Sequence, residues 1–163
     1  MPLTKISQLS SIGNTGVTGI TIDSSGRMLT PARPAFRVYK NQNQTSSSNN
    51  ETVTWEVESF DIGGNFASNT FTAPITGVYS FTVQWLSLNE GTQSDIFLNI
   101  AGNNFSNSRS AGEGTSRHKT CTLNFVGQVT SGQAVNVEIS SAGQGMYGDS
   151  GGSWSYFCGF LIG

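Results

Sequence analysis

Charge is scarce in this chain. Only 11% of its 163 residues are Asp, Glu, Lys or Arg, less than half the roughly 25% usual in globular proteins. The formal net charge is −2, and Lys and Arg cluster nowhere. A nucleic-acid surface is excluded as a class, because it needs a concentrated positive footprint. Cysteine is sparse too: Cys121 and Cys158 are too few for a disulfide scaffold. They are either two small buried residues or one bridge. No apolar run approaches the roughly 18 residues of a membrane-spanning helix, so no membrane insertion is expected. Met1-Pro2-Leu3 opens onto a polar segment without the apolar core of a secretory leader. Either the chain is made in the cytosol, or a leader has been removed. Convincing helices are missing as well, since Gly, Asn, Ser and Thr interrupt every candidate window.

Hydrogen-bonding residues and aromatics fill the gap. Ser, Thr, Asn and Gln make up about two residues in five, and Gly contributes 20. A disordered chain could be this polar, but 10 Phe, 3 Trp and 4 Tyr imply a packed core. Alternation of period two dominates. Gly77 to Trp85 places Tyr79, Phe81, Val83 and Trp85 on one face. Asp95–Ile100, Thr120–Phe125 and Ala134–Ser140 alternate likewise, and Thr70 to Ala73 is a short strand stopped by Pro74. Gly63-Gly64-Asn65, Asn89-Glu90-Gly91, Gly102-Asn103-Asn104 and Ser131-Gly132 read as turns. Many short strands at this spacing predict an all-β sandwich or barrel.

Three segments depart from this pattern. The closing strand is apolar on both faces, with Phe157 and Leu161 on one and Trp154, Tyr156, Cys158, Phe160 and Ile162 on the other. A sheet with one wet face would be polar at alternate positions. The second face therefore needs a cover, and another copy of the chain is the simplest one; the strand's own loops are the alternative. In the first 34 residues, Leu3, Ile6, Leu9 and Ile12 recur every third position, and Gly13, Gly16 and Gly19 continue the period. That spacing suits three chains around an axis, although the glycine run is too short and proline-poor for a collagen helix. A three-chain stalk and an extended arm lying on another protein both remain open. Pro31-Ala32-Arg33-Pro34 is a stiff connector, which puts the boundary between an arm, 1–34, and a domain, 35–163. Finally, Asn41 to Asn50 is wholly polar and reads as an exposed, flexible loop.

The candidate chemistry is thin. His118 lies between Arg117 and Lys119, whose charge opposes its protonation and makes it a poor general base; it reads as a solvated turn or strand-edge residue. Gly148-Asp149-Ser150-Gly151 resembles a serine-protease motif, but it falls in a glycine-rich turn with no triad partners in view. Glu56 and Glu58 read as one solvated strand face. No Cys/His cluster has metal-ligand spacing. No enzyme activity, metal or cofactor is expected.

The residues from Phe36 to Ile162 resemble the globular head of complement C1q and the related tumour-necrosis-factor fold. Ala35-Phe36-Arg37-Val38 resembles the first strand. Phe60-Asp61-x-Gly63 through Phe66, then Phe71-x-Ala73-Pro74-x-x-Gly77-x-Tyr79-x-Phe81, resembles the central signature. Tyr156-Phe157-Cys158-Gly159-Phe160-Leu161-Ile162 resembles the closing strand. Gly132-Gln133-Ala134-Val135 stands where the family has Gly-Asp-x-Val, with Gln133 in place of the acid. The resemblance implies an antiparallel two-sheet jelly roll that forms a homotrimer through one sheet. The core signature is then Phe36, Phe60, Phe66, Phe71, Pro74, Gly77, Tyr79, Phe81, Phe157, Gly159 and Leu161, and the trimer face carries Trp154, Tyr156, Phe160 and Ile162. The acidic calcium sites of the family are not matched, so no metal residue carries over. The short arm is similar to those of bacteriophage fibre and decoration proteins. The function expected is a trimeric virion protein, a capsid-decoration (cement) or tail-fibre protein, bound to capsid or tail proteins through its arm. The alternative is a secreted recognition protein or adhesin that binds host-surface glycans through its loops.

Overall fold

The computed structural model describes residues 21–88, 93–110 and 118–163. The arm positions Leu3, Ile6, Leu9, Ile12, Gly13, Gly16 and Gly19 lie outside the described residues. Every regular element described is a strand, fifteen in chain order: β1 Thr21–Ile22, β2 Met28–Leu29, β3 Ala35–Tyr39, β4 Gln44–Thr45, β5 Glu51–Thr52, β6 Val57–Ile62, β7 Phe66–Ala67, β8 Thr70–Thr72, β9 Gly77–Leu86, β10 Ser94–Ile100, β11 Asn103–Ser110, β12 Thr120–Val129, β13 Ala134–Ile139, β14 Gly145–Met146 and β15 Tyr156–Leu161.

Two antiparallel sheets form the sandwich. One runs β12-β9-β15-β3-β6; the other runs β11-β10-β13-β8-β7, with β5 also on β13. The neighbours are distant in sequence, as β15 lies between β3 and β9. β1 and β2 make a separate hairpin. Its turn is held by Asp23, whose carboxylate accepts from Ser25 N, Arg27 N and Arg27 Nε.

The core lies between the sheets. Alternate residues of β9 (Tyr79, Phe81, Val83, Trp85) meet Ile96, Leu98 and Ile100 of β10 and Val135, Val137 and Ile139 of β13, all buried. Each large side chain contributes about 1.5–3 kcal/mol by leaving water. Phe36 sits at the aromatic centre, stacked on Phe66 and Phe71 at 5.0 and 4.8 Å and edge-on to Phe157 at 4.8 Å. Gly159 makes that cluster fit: a Cβ there would lie 2.3 Å from Phe81 Cδ1 and 2.9 Å from Phe36 Cε1. The rings lie over bare backbone, so the closing strand needs glycine for close approach. Gly77 has the same role. Its Cβ would meet Leu161 Cδ1 at 2.6 Å and Gly163 O at 3.0 Å.

Two signature positions depart from a core assignment. Phe60 is 45% exposed. The ladder between β3 and β6 shifts register after Arg37, and Phe60 pairs with Arg37 while Asp61 pairs with the buried Phe36. Phe60 therefore takes the outer face, and the Asp61 carboxylate turns in to accept from Phe66 N at 2.8 Å. Pro74 is exposed; it ends β8, and the neighbouring Ala73 enters the core.

Candidate assembly face and loop platform

The outer face of the five-stranded sheet is defined by its register. One row crosses all five strands as Val126, Ser80, Phe160, Ala35 and Ile62. The next is Asn124, Thr82, Cys158, Arg37 and Phe60; the third is Thr122, Gln84, Tyr156, Tyr39 and Val57. Val126, Phe160 and Ile62 are 65%, 50% and 40% exposed, although β15 is the central strand of the sheet. Val78 and Ile162 add two more exposed apolar side chains at the same end. The three rows contain one charge, Arg37. Its Nη1 donates to Ser59 Oγ at 2.9 Å and its Nη2 to Gly152 O at 2.6 Å. The guanidinium lies over the Tyr156 and Tyr39 rings, 4.9 and 5.6 Å from their centres. Local dipoles and ring faces thus satisfy this cation without a carboxylate.

Cys158 sits in the middle row beside Arg37. Burial pushes its thiol up, while the Arg37 charge and a hydrogen bond to the Thr82 backbone draw it back. Cys121 belongs to the inward set of β12, so the two cysteines occupy opposite faces of one sheet and no disulfide joins them.

Trp154 is placed apart from these rows. It lies in the turn before β15 and is 46% exposed. Its ring is edge-on to Tyr147 at 5.8 Å, and Tyr147 is edge-on to His118 at 4.5 Å. His118 is not merely solvated: Nδ1 lies 3.1 Å from Ser87 O, and Nε2 lies 2.9 Å from the Tyr147 hydroxyl.

The polar run after β3 is exposed at most positions, as expected, and it is also tied to neighbouring segments by hydrogen bonds. Gln44 and Thr45 form β4 and pair with β14. Lys40 is fully buried beneath the run, and its Nζ donates to Thr54 O at 2.6 Å, Glu56 Oε1 at 2.9 Å and Gln44 Oε1 at 3.2 Å. Burial pulls the ammonium down from its ordinary value, and the Glu56 carboxylate opposes that pull. Glu56 is exposed, as is Glu58, and one of its oxygens also holds Lys40. Gln44 completes the knot, accepting from Thr54 N and donating through Nε2 to Thr52 O and Glu51 Oε1. Across the loop end, Asn43 and Asn49 accept from Gly148 N and Ala142 N, and Ser46 Oγ donates to Ser141 O. Amide side chains here extend a short backbone ladder.

The protease-like tetrapeptide has the same kind of structural duty. Asp149 accepts from Gly151 N, Ser153 N, Ser153 Oγ and Trp154 N within 3.1 Å. Burial raises its pKa, but the bonds from Trp154, Ser153 and Gly151 outweigh that and hold the carboxyl below the usual range. These oxygens are committed to shaping a turn.

A sandwich with this strand order, closed by a central terminal strand, is a jelly roll of the C1q and tumour-necrosis-factor class. Solved structures share it, among them the following three. The globular domain of zebrafish complement 1qA aligns with a TM-score of 0.61 at 21% identity, over 80% of this chain and 98% of that one. Murine APRIL, at pH 8.5, aligns with 0.64 at 12%, over 80% and 99%. The TNF-type protein Eiger from S. frugiperda aligns with 0.65 at 12%, over 81% and 94%. A search of curated proteins returned no match. The C1q domain family model matches residues 35–162, and the chain belongs to that family. Among the described residues, no helix is long and apolar enough to cross a membrane.

Proposed function

We propose that residues 35–163 form a homotrimeric, non-enzymatic recognition head, closed by the outer face of the five-stranded sheet and presenting its knitted loops. The row Val126–Ser80–Phe160–Ala35–Ile62 carries the proposal. It is an apolar stripe across the centre of a sheet, poor in charge as the core of an interface is, and family membership supplies the occupant: two sister chains around a threefold axis. Light scattering of the purified chain should give three times the chain mass, and Phe160→Asp should give the monomer. A monomeric wild type would remove the proposal.

Within that reading, residues 1–34 serve as an anchor to a larger assembly, and a virion appendage is the setting their threefold spacing and the neutral hydrogen-bonding surface favour. The fold and its relatives do not bear on the virion setting. Deleting residues 1–30 should leave a folded trimer that no longer joins the particle; unimpaired incorporation of the truncated head would end the anchor assignment.

A further inference from the structure

The edge of the six-stranded sheet carries a shallow groove of about 240 Å³, lined by Phe97, Asn104, Phe105, Ser106 and Asn107. A bulge creates it. β10 and β11 pair as Phe97 with Asn107 and Leu98 with Ser106, then jump to Asn99 with Asn104, leaving Phe105 as the extra residue. Bulges re-aim the side chain they carry. Phe105 accordingly stands 56% exposed, its ring edge-on to Phe125 at 6.1 Å. Phe97 is half-buried, flanked by Asn107 on β11 and Glu138 on β13. Asn104 is held in place by Asn99, whose Nδ2 donates to its Oδ1 at 3.1 Å.

We propose that this groove binds a neutral saccharide. The apolar C–H face of a pyranose would rest on Phe97 and Phe105, and its hydroxyls would bond to the amides of Asn104 and Asn107 and the carboxyl of Glu138. The lining selects that class. Amides donate and accept at once, as hydroxyl-rich ligands require. The lining residues include no cation, and Arg109, further along β11, is paired with Asp95 at 2.7 Å, so the groove itself offers no positive charge to draw an acidic glycan or a phosphate. The volume suits about one sugar ring. A peptide strand adding to β11 would meet the bulge, which interrupts the ladder it must continue. Burial raises the Glu138 pKa, partly offset by its bond to Asn136. The groove lies on the sheet opposite the assembly face, so the inference does not depend on the trimer.

The test is a printed array carrying neutral and sialylated glycans, probed with the full chain and with Asn107→Ala and Phe105→Ala. Near-ultraviolet circular dichroism and light scattering of both variants check the fold and the oligomer independently of binding. Retention on neutral glycans is expected, with affinity reduced about tenfold in each variant, the loss of one good contact. Retention on no glycan, retention confined to sialylated ones, or undiminished binding by both variants would each overturn the assignment.

Discussion

The outer faces of the two sheets obey one alternation rule but present opposite chemistry. On the five-stranded sheet, the residues between core positions are Val126, Phe160, Ile62 and their neighbours, with Arg37 the one charge in three rows. On the six-stranded sheet, the outward positions are Arg109 against Asp95, then Asn107, Phe97, Glu138 and Thr52 in a row, then Asn104, Asn99 and Asn136. The first face gains by being covered, because hydrating apolar surface carries a free-energy cost that burial relieves. The second is polar and bonds its own side chains to one another, as in Asn99–Asn104 and Asp95–Arg109. A jelly roll can thus specify which side assembles and which side stays wet through every second residue of its strands.

The sharpest way to break this comparison is to place the same charge on both faces. Phe160→Asp puts a carboxylate in the middle of the apolar row and should abolish the trimer by light scattering. Asn107→Asp, on the other sheet, should leave the mass unchanged. Equal behaviour of the two variants would erase the distinction between the faces. The next effect is on folding. Lys40→Ala strips a buried cation from Thr54 O, Glu56 and Gln44; the Glu56 carboxylate is open to water, so the cost is that of leaving the buried acceptors without a donor, about 1–3 kcal/mol. Urea midpoints should drop accordingly, and a change within error would show that the knot is decorative. Gly159→Ala drives a methyl into the Phe81 and Phe36 rings. Overpacking of this kind costs about 1–3 kcal/mol, read as a lower melting temperature with the fold retained.

The sequence discloses most of the core and little of the loop end. Period-two strands with large aromatics, such as Tyr79 to Trp85, declare their inner face because burial selects residue type at every second position. The doubly apolar closing strand is legible for the same reason. β11 escapes notice: Asn103 to Ser110 is polar at nearly every position, being an edge strand held by its backbone ladder and by polar side-chain pairs such as Asn99–Asn104 and Asp95–Arg109. The run Asn41 to Asn50 discloses its exposure but not its ties. Its amides look made for water, yet Gln44 spends both ends of its side chain on Lys40, Thr54, Thr52 and Glu51. Amide side chains imitate backbone hydrogen bonding, and composition does not distinguish an amide facing solvent from one facing a carbonyl. Phe60 misleads through a register shift at Arg37, which swaps the two faces without a mark in the local pattern.

The smallest effect separates the loop end from the sheets by pH. Glu51 and Asp149 are held below their ordinary values of 4.5 and 3.8, Glu51 chiefly by bonds from Ser47 and Asp149 by bonds from Trp154 and Ser153 that overcome its burial. A carboxyl depressed in the folded state binds fewer protons there than in the unfolded chain. Its contribution is therefore whole above the ordinary value and fades as pH falls through the depressed one. Glu138, on the six-stranded sheet, is shifted the opposite way by burial, and the apolar rows hold no acid. Acidification below about pH 4 should loosen residues 140–155 first, seen as faster amide exchange at Ser153 and Trp154 than in β9 or β13. Asp149→Asn should flatten that acid limb for these amides while leaving β9 protection unchanged. Uniform loss of protection across loops and strands in both proteins would show that the loop end has no separate stability to lose.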